Sequence, residues 1–274
     1  MRVSPELVTA RTVKNWFWVS PDDRGKPIAW QVLLLNWALA FSLLTLICFF
    51  SFSQLRYNWN WQTVGGYSGF FWRGWLNTLK ISSLALVLST LIGMVAALAR
   101  RSGFLALHAV SRLYVELVRG TPLLVQISFA FYVVADALHF QDRFTVGLFT
   151  LSLFSGAFIS EIIRGGIESV GASQLESARA IGLTRFQTYR YVILPQAIRV
   201  ILPALAGMFA NLIKDSSLLS VISIEEFTWN AQQVSALTYS NFECYIPLAI
   251  GYLVLTLPIT LWTQWLEKRT QYET

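Results

Sequence analysis

Long apolar stretches alternate with short polar ones along the whole chain. A helix needs about 20 apolar residues to cross a bilayer. Six stretches reach or approach that length, at 28–55, 77–99, 113–135, 144–163, 200–224 and 246–266. The fourth and fifth reach it only if Glu161, Lys214 and Asp215 lie inside the membrane. The pattern therefore predicts an all-α membrane protein with about six transmembrane helices.

The composition supports the same fold class. Hydrophobic residues make up 55% of the chain and charged residues 13%, and the mean hydropathy is +0.52. Soluble domains carry about 25% charged residues, so too few charges are present here to build a water-soluble surface. Cys48 and Cys244 show neither a disulfide framework nor metal-ligand spacing.

The basic residues predict the orientation. If the N-terminus is cytoplasmic and the spans alternate, sixteen of the 21 Lys and Arg residues fall on the cytoplasmic side. Cytoplasmic loops of membrane proteins carry such an excess, so both termini are predicted to be cytoplasmic. Because the basic residues lie between apolar runs, the net charge of +6 indicates a lipid bilayer rather than nucleic acid as the partner.

The first apolar run has a second interpretation, as a cleaved signal peptide. Its apolar core exceeds the usual length of about 7–15 residues, its leader is long, and no A-x-A site follows. A retained helix is therefore favoured. The predicted division is residues 1–75, with a cytoplasmic segment, a first transmembrane helix and an outer loop, and residues 76–274, with the remaining spans.

The longest predicted cytoplasmic loop, 167–195, carries a helical pattern at about 172–188. Ser173 and Glu176 have the spacing of a capping box. Apolar side chains recur every three or four residues around a break at Gly182; they are Leu175, Ala178, Phe186 and Tyr189. From the pattern alone, this helix pair either contacts another protein or lies on the lipid headgroups.

The residues of this loop also resemble a known motif. Glu176-x-Ala178-x3-Gly182, followed by Val192-Ile193-Leu194-Pro195, is similar to the EAA motif of ABC importer permeases, with Ser177 and Val192 as departures. The resemblance implies a coupling helix that docks into a cytosolic ATPase. The residues it implies for that contact are Glu176, Ser177, Ala178, Gly182, Leu183 and Phe186.

Three further segments, 114–126, 160–167 and 211–220, resemble signatures of permeases for polar amino acids, of the histidine, glutamine and glutamate/aspartate type. The likeness covers roughly residues 77–269, and the first span resembles an N-terminal addition. The resemblance implies the type I permease fold of ABC importers and a location in the bacterial cytoplasmic (inner) membrane.

The same resemblance implies several partners. No phosphate-binding loop of the Walker type is present, so the chain is predicted to be non-catalytic and without a cofactor or metal of its own. ATP and Mg would be bound by a dimer of cytosolic ABC ATPase subunits. A second permease subunit, the same or similar, and an extracytoplasmic amino acid binding protein would complete the importer.

Charged residues inside a membrane need a reason, because each costs about 2.5–3.5 kcal/mol at a helix centre. Glu161 either contacts the α-amino group of a substrate or pairs with Arg164. Glu116 is predicted to pair with Arg119, before a helix break at residues 120–122. The candidates for the substrate pathway are Glu161, Gln126, Asn211, Lys214, Asp215 and Ser216.

Two other functions remain to be weighed against an ABC permease. An ion-coupled amino acid transporter would use Glu161 and Asp215 as proton or sodium sites. A membrane enzyme is disfavoured, because histidines and paired polar residues are scarce.

Overall fold

The computed structural model describes residues 29–54 and 57–270. The predicted cytoplasmic N-terminal segment, with its five basic residues, lies outside the described residues. The helices are α1 (Trp30–Ser53), α2 (Trp61–Gly65), α3 (Ser68–Arg100), α4 (Leu105–Arg119), α5 (Leu123–Phe129), α6 (Arg143–Glu168), α7 (Ala172–Ala180), α8 (Arg185–Thr188), α9 (Leu194–Asp215), α10 (Phe227–Thr238) and α11 (Asn241–Thr270). Two π-helical segments, Ala130–Ala135 and Tyr189–Ile193, and a 3-10 helix, Ser216–Ile222, join them.

The chain divides into two units, one ending at Asn58 and one running from Trp59 onward. The first contains α1, whose 24 residues carry no charge and extend about 36 Å. The predicted division between residues 75 and 76 falls inside α3.

Five continuous helical stretches in the described residues are long and apolar enough to cross a membrane, and the fourth joins α8 and α9 with the π-helical and 3-10 segments that follow them. They are Trp30–Ser53, Ser68–Arg100, Arg143–Glu168, Arg185–Ile222 and Asn241–Arg269. A sixth span forms if α4 and the segment Leu123–Ala135 are counted together, although they meet at an angle of 107°. The predicted all-α membrane fold with about six spans is thus confirmed, and so is the helix break before Pro122.

Helices α3 and α6 run parallel, since Lys80 lies over the Phe144 ring near their starts and Arg100 bonds Glu161 near their ends, and they pack closely at the centre of the second unit. Gly93 of α3 lies so near α6 that a Cβ atom there would be 2.7 Å from Ile159 Cγ2 and 2.9 Å from the Gly156 carbonyl oxygen. Small residues allow this approach between membrane helices. The neighbouring core includes Ile81, Leu151 and Leu212.

The two ends of this bundle differ. One end, called here the α7 end, carries the C-terminal residues of α3 and α6 together with α7 and α8. The other, the α10 end, carries α10, which packs on the first half of α3 and on α11. The stretch between the fifth and sixth apolar runs contains α10, along which Phe227, Ala231 and Val234 form a buried stripe. Twelve residues are too few for this stripe to stand out from the adjacent apolar runs.

Candidate coupling and transport sites

The predicted helix pair at 172–188 is present and is broken at Gly182. Gly182 has φ +78°, a left-handed conformation that favours glycine. Its N–H donates to the Arg179 carbonyl and the Leu183 N–H to the Ala178 carbonyl, both at 3.0 Å. These two bonds form a Schellman motif, which ends α7 and turns the chain toward α8.

The predicted capping box at Ser173 and Glu176 is wrong. Helix α7 starts after Gly171 without a side-chain cap, so Ser173 already lies within the helix. The capping box belongs to α8, where Gln187 N–H donates to Thr184 Oγ1 at 3.3 Å and Thr184 N–H to Gln187 Oε1 at 2.9 Å. Both pairs fit the sequence rule, and the position of each helix start decides between them.

Most of the residues predicted to contact an ATPase lie on the surface of the helix pair. Phe186 is 77% exposed. Ile181, which the predicted stripe did not include, is 76% exposed. We call Glu176, Ser177, Ile181, Gly182 and Phe186, which are all exposed, the coupling surface. Leu183 is half-buried and Ala178 only 3% exposed, so Ala178 anchors α7 rather than facing a partner.

The helix pair is attached to the membrane helices by two kinds of contact. Leu175 of α7 packs on a buried cluster that includes Ile193 and Ala197. Tyr189, which follows α8, accepts a hydrogen bond from Arg101 at the end of α3, at 2.9 Å. A displacement of the coupling surface therefore acts on both α9 and α3.

Glu161 lies near the α7 end of α6 within a group of arginines. Its Oε1 is bonded to Arg100 of α3, and its Oε2 lies 2.7 Å from Arg164 and 3.5 Å from Arg119. Arg164 also bonds Glu168, at 2.5 Å. The Glu161 side chain is 20% exposed and that of Arg100 is 18% exposed, so these charges are substantially shielded from solvent.

The arginines bear on two of the sequence predictions. The ion pair between Glu161 and Arg164, predicted as the alternative to a substrate contact, is present, and a substrate ammonium would have to compete with three guanidinium groups. The predicted pair of Glu116 with Arg119 is wrong. Glu116 bonds Arg112 at 2.7 Å, while Arg119 points to α6.

Gln126, a predicted pathway residue, stabilises the broken span. Its side-chain amide donates to the Val118 carbonyl at 2.8 Å, and to the carbonyl and hydroxyl oxygens of Thr121 at 3.1 and 2.8 Å. The helix break leaves these carbonyls without a partner in the helix, and an unsatisfied backbone group inside a membrane costs several kcal/mol.

The four candidates around the end of α9 separate into two groups. Ser216 is fully buried and donates to the Ile213 carbonyl, and Asp215 is half-buried. Lys214 and Asn211, one turn apart on α9, are exposed. Within the described part of the chain, Lys214 has no carboxylate within 4.0 Å. Lys214 is thus available to a ligand, and Ser216 is not.

Two buried carboxylates at the α10 end were not singled out from the sequence. Glu226 is fully buried, and it accepts hydrogen bonds from Trp229 N–H at 2.6 Å, Thr228 N–H at 2.9 Å and Tyr252 Oη at 3.0 Å. Burial raises the pKa of Glu226 to about 7. Glu243 is also buried and accepts from the Asn60 N–H. The signal for Glu226 is its place just ahead of α10, where an acid caps a helix.

Two polar cavities open at the α10 end. They have volumes of about 400 and 440 Å³ and share Gln141 and Arg143 in their walls. Lys80 and Asp142 line the first and Asp136 the second. This end therefore presents charges of both signs, unlike the apolar sides of the bundle.

Apolar spans, one of them broken, and an exposed helix pair at one end are typical of a membrane permease. The family described as "binding-protein-dependent transport system inner membrane component" matches residues 89–272, and the chain belongs to this family. The chain is therefore a permease subunit of an ABC importer, and the comparisons favour this function over an ion-coupled transporter.

Individual relatives agree with this assignment. The chain is 40% identical over 199 residues to the probable glutamine ABC transporter permease protein GlnM of Bacillus subtilis, covering 72% of this chain and 92% of the relative. It is 37% identical over 194 residues to the glutamine transport system permease protein GlnP of Escherichia coli K12, covering 70% and 89%. The crystal structure of an amino acid ABC transporter with histidines superposes with a TM-score of 0.74 at 36% identity, covering 78% of this chain and all of that one.

Proposed function

We propose that this permease imports a polar amino acid, with glutamine as the first candidate. The names of the relatives support this choice, since two of them are glutamine permeases and the similar structure holds histidine. The observation that carries the proposal is Lys214, an exposed lysine on a membrane-spanning helix that forms no salt bridge within 4.0 Å among the described residues.

Lys214 is suited to the part that all amino acids share. A lysine facing lipid costs about 2.5–3.5 kcal/mol near a helix centre, so an exposed one belongs on a water-filled pathway. There its ammonium group attracts the substrate α-carboxylate, and the exposed Asn211 side chain, one turn earlier, supplies further hydrogen bonds. Glu161 is not assigned to the substrate, because both of its oxygens already contact arginines.

A second subunit follows from the same exposure. One copy leaves Lys214 and Asn211 open on the side of α9. A pathway that keeps them in water and away from lipid needs another wall. We assign that wall to a second permease subunit, either identical to this chain or similar to it.

The energy source is assigned to a separate protein at the α7 end. Cytosolic ATPase subunits, which bind ATP and Mg, dock on the coupling surface, and the permease itself carries out no chemistry. ATP binding brings the ATPases together, the helix pairs follow, and the spans open toward the α10 end. A binding protein then releases its amino acid there. This orientation places the α7 end and both termini in the cytoplasm of a bacterial inner membrane.

Site-specific photocross-linking tests the two docking sides. A photoreactive phenylalanine analogue replaces Phe186 in one variant and Tyr239 in another, since both aromatic side chains are highly exposed and lie at opposite ends. The variants are cross-linked in intact membranes, and the captured proteins are identified by mass spectrometry. Position 186 is expected to capture the ATPase only. Capture of the ATPase from position 239, or none from 186, would contradict the assignment.

A further inference from the structure

The break in the third span is connected to α6 and α3 through one carboxylate, that of Glu161. Arg119 is the last residue of α4, directly before the 107° bend. Its guanidinium lies 3.5 Å from Glu161 Oε2 and 5.3 Å from the centre of the Phe158 ring, and both of these residues are on α6. The α4 side of the break is therefore held against α6 by an ion pair and a cation–π contact.

Glu161 extends this connection to α3. Arg100, near the end of α3, bonds the other oxygen of the same carboxylate. The neighbouring residue, Arg101, bonds Tyr189, which follows α8. The end of α3 thus contacts both the helix pair that carries the coupling surface and the carboxylate that holds the break.

The charge balance of the group makes Glu161 hard to replace. Three arginines meet two carboxylates, Glu161 and Glu168, and Glu168 contacts only Arg164 among the three. Without Glu161, the positive charges of Arg100 and Arg119 would lie close together with no carboxylate between them. Breaking a shielded ion pair from one side is costly, because it leaves uncompensated charge behind.

We propose that Glu161 is a positioning residue that sets the angle of the broken span, by holding Arg119 of α4 and Arg100 of α3 on one carboxylate. The Arg119 contact is the longest of the three and the most exposed, with 43% of the arginine side chain accessible, so it is the one that opens when α3 moves with the helix pair. The part of the proposal that concerns transport rests on the proposed function, whereas the position of the break does not.

Hydrogen–deuterium exchange of the full chain in lipid nanodiscs tests the position of the break. Arg119→Gln is expected to speed exchange of the amides in 117–126 about fivefold, the factor for a partly exposed ion pair, and Glu161→Gln more strongly. Arg112→Gln is the matched control, because Arg112 forms an exposed pair with Glu116 on the same helix. Unchanged exchange in Arg119→Gln, or equal acceleration in the control, would overturn the proposal.

The double variant shows whether Arg119 acts through Glu161. If it does, adding Arg119→Gln to Glu161→Gln accelerates exchange by clearly less than fivefold, the remainder being the loss of the Phe158 contact, and a further fivefold increase would overturn the proposal. If Glu161→Gln does not fold, Arg119→Lys replaces it. Lysine keeps the charge but lacks the planar guanidinium, so exchange between that of wild type and Arg119→Gln is expected. Exchange as fast as in Arg119→Gln would show that only the loss of the guanidinium matters and would overturn an ion-pair role.

Uptake per ATP hydrolysed, measured in the reconstituted complex, tests the transport half. Arg119→Gln is expected to lower this ratio without lowering ATP hydrolysis, whereas Arg112→Gln keeps both. A ratio that stays at the wild-type value while exchange accelerates would overturn the transport half. If the wild-type complex shows no ATP-driven uptake, the proposed function fails, and the exchange data still decide the position of the break.

Discussion

Gly182 is the residue at which the coupling surface depends most on backbone conformation. Its φ of +78° closes the Schellman motif between α7 and α8, and no atom lies within 4 Å of a Cβ placed there. A substitution would therefore act through backbone strain of about 1–2 kcal/mol and not through a clash.

Gly182→Ala is expected to lower uptake per ATP hydrolysed in reconstituted vesicles, because the turn that presents Phe186 is strained. Gly165→Ala is the control, since Gly165 also has space for a Cβ but lies inside α6. The control should keep the wild-type ratio. A normal ratio in Gly182→Ala would show that coupling does not need this turn.

The substitution Lys214→Gln is expected to raise the KM for amino acid uptake about tenfold or more, because the substitution removes a charged hydrogen bond to the substrate carboxylate. The maximal rate should change less than KM. Lys268→Gln, which removes an exposed lysine in the last turn of α11, serves as the control. Equal KM values in the two variants would contradict a substrate contact at Lys214.

The raised pKa of Glu226 makes the stability of the protein depend on pH. The folded-state pKa of about 7 is raised above the ordinary value of 4.5, so the folded protein holds a proton that the unfolded chain has lost between these values. The contribution of Glu226 to the free energy of unfolding should therefore be fully present below about pH 4.5 and should be lost, by roughly 3 kcal/mol, as the pH rises through 7.

Thermal unfolding of the purified protein between pH 5 and 8 measures this effect. Wild type is expected to lose stability across the range, and Glu226→Gln to lose much less, because glutamine does not titrate. Parallel curves for the two proteins would show that Glu226 does not carry the dependence.

At the scale of elements, the crossing of α3 and α6 depends on a glycine. Gly93→Ala would bring a Cβ within 2.7 Å of Ile159 and is expected to destabilise the bundle by about 1–3 kcal/mol. Gly69→Ala, in the same helix, meets no atom within 4 Å and should leave stability unchanged or slightly higher. Unfolding temperatures of the two variants in one detergent test this, and equal values would contradict close packing at Gly93.

The elements differ in how well sequence alone predicted them. The spans were predictable, because membrane insertion demands long apolar runs that nothing else requires. The break at Gly182 was also predictable, since glycine marks the left-handed turn. Helix α10 was not predictable, because its buried side chains are too few to form a clear pattern and are buried only through packing on α3 and α11.

Long-range contacts between side chains were beyond the sequence for a different reason. The spacing of Glu161 and Arg164 reveals their contact, but Arg100 reaches Glu161 from 61 residues away. Local spacing likewise suggested Arg119 as the partner of Glu116, whereas the tertiary fold turns Arg119 toward α6. Only the packing of α3, α4 and α6 brings these charges together.

At the scale of the whole molecule, the two ends of the bundle have different surfaces. The α7 end presents exposed Phe186 and Ile181 beside charged residues, and the α10 end presents polar cavities around Arg143. An importer needs such a difference, because the energy source and the substrate reach it from opposite sides of the membrane.

Uptake of labelled glutamine into proteoliposomes tests the central claim most directly. The permease is reconstituted with its co-purified ATPase inside the vesicles and the binding protein outside, and ionophores abolish all ion gradients. ATP-driven importation predicts that uptake requires enclosed ATP and binding protein and persists with the ionophores. Uptake that proceeds without ATP and stops when the ion gradients collapse would contradict it.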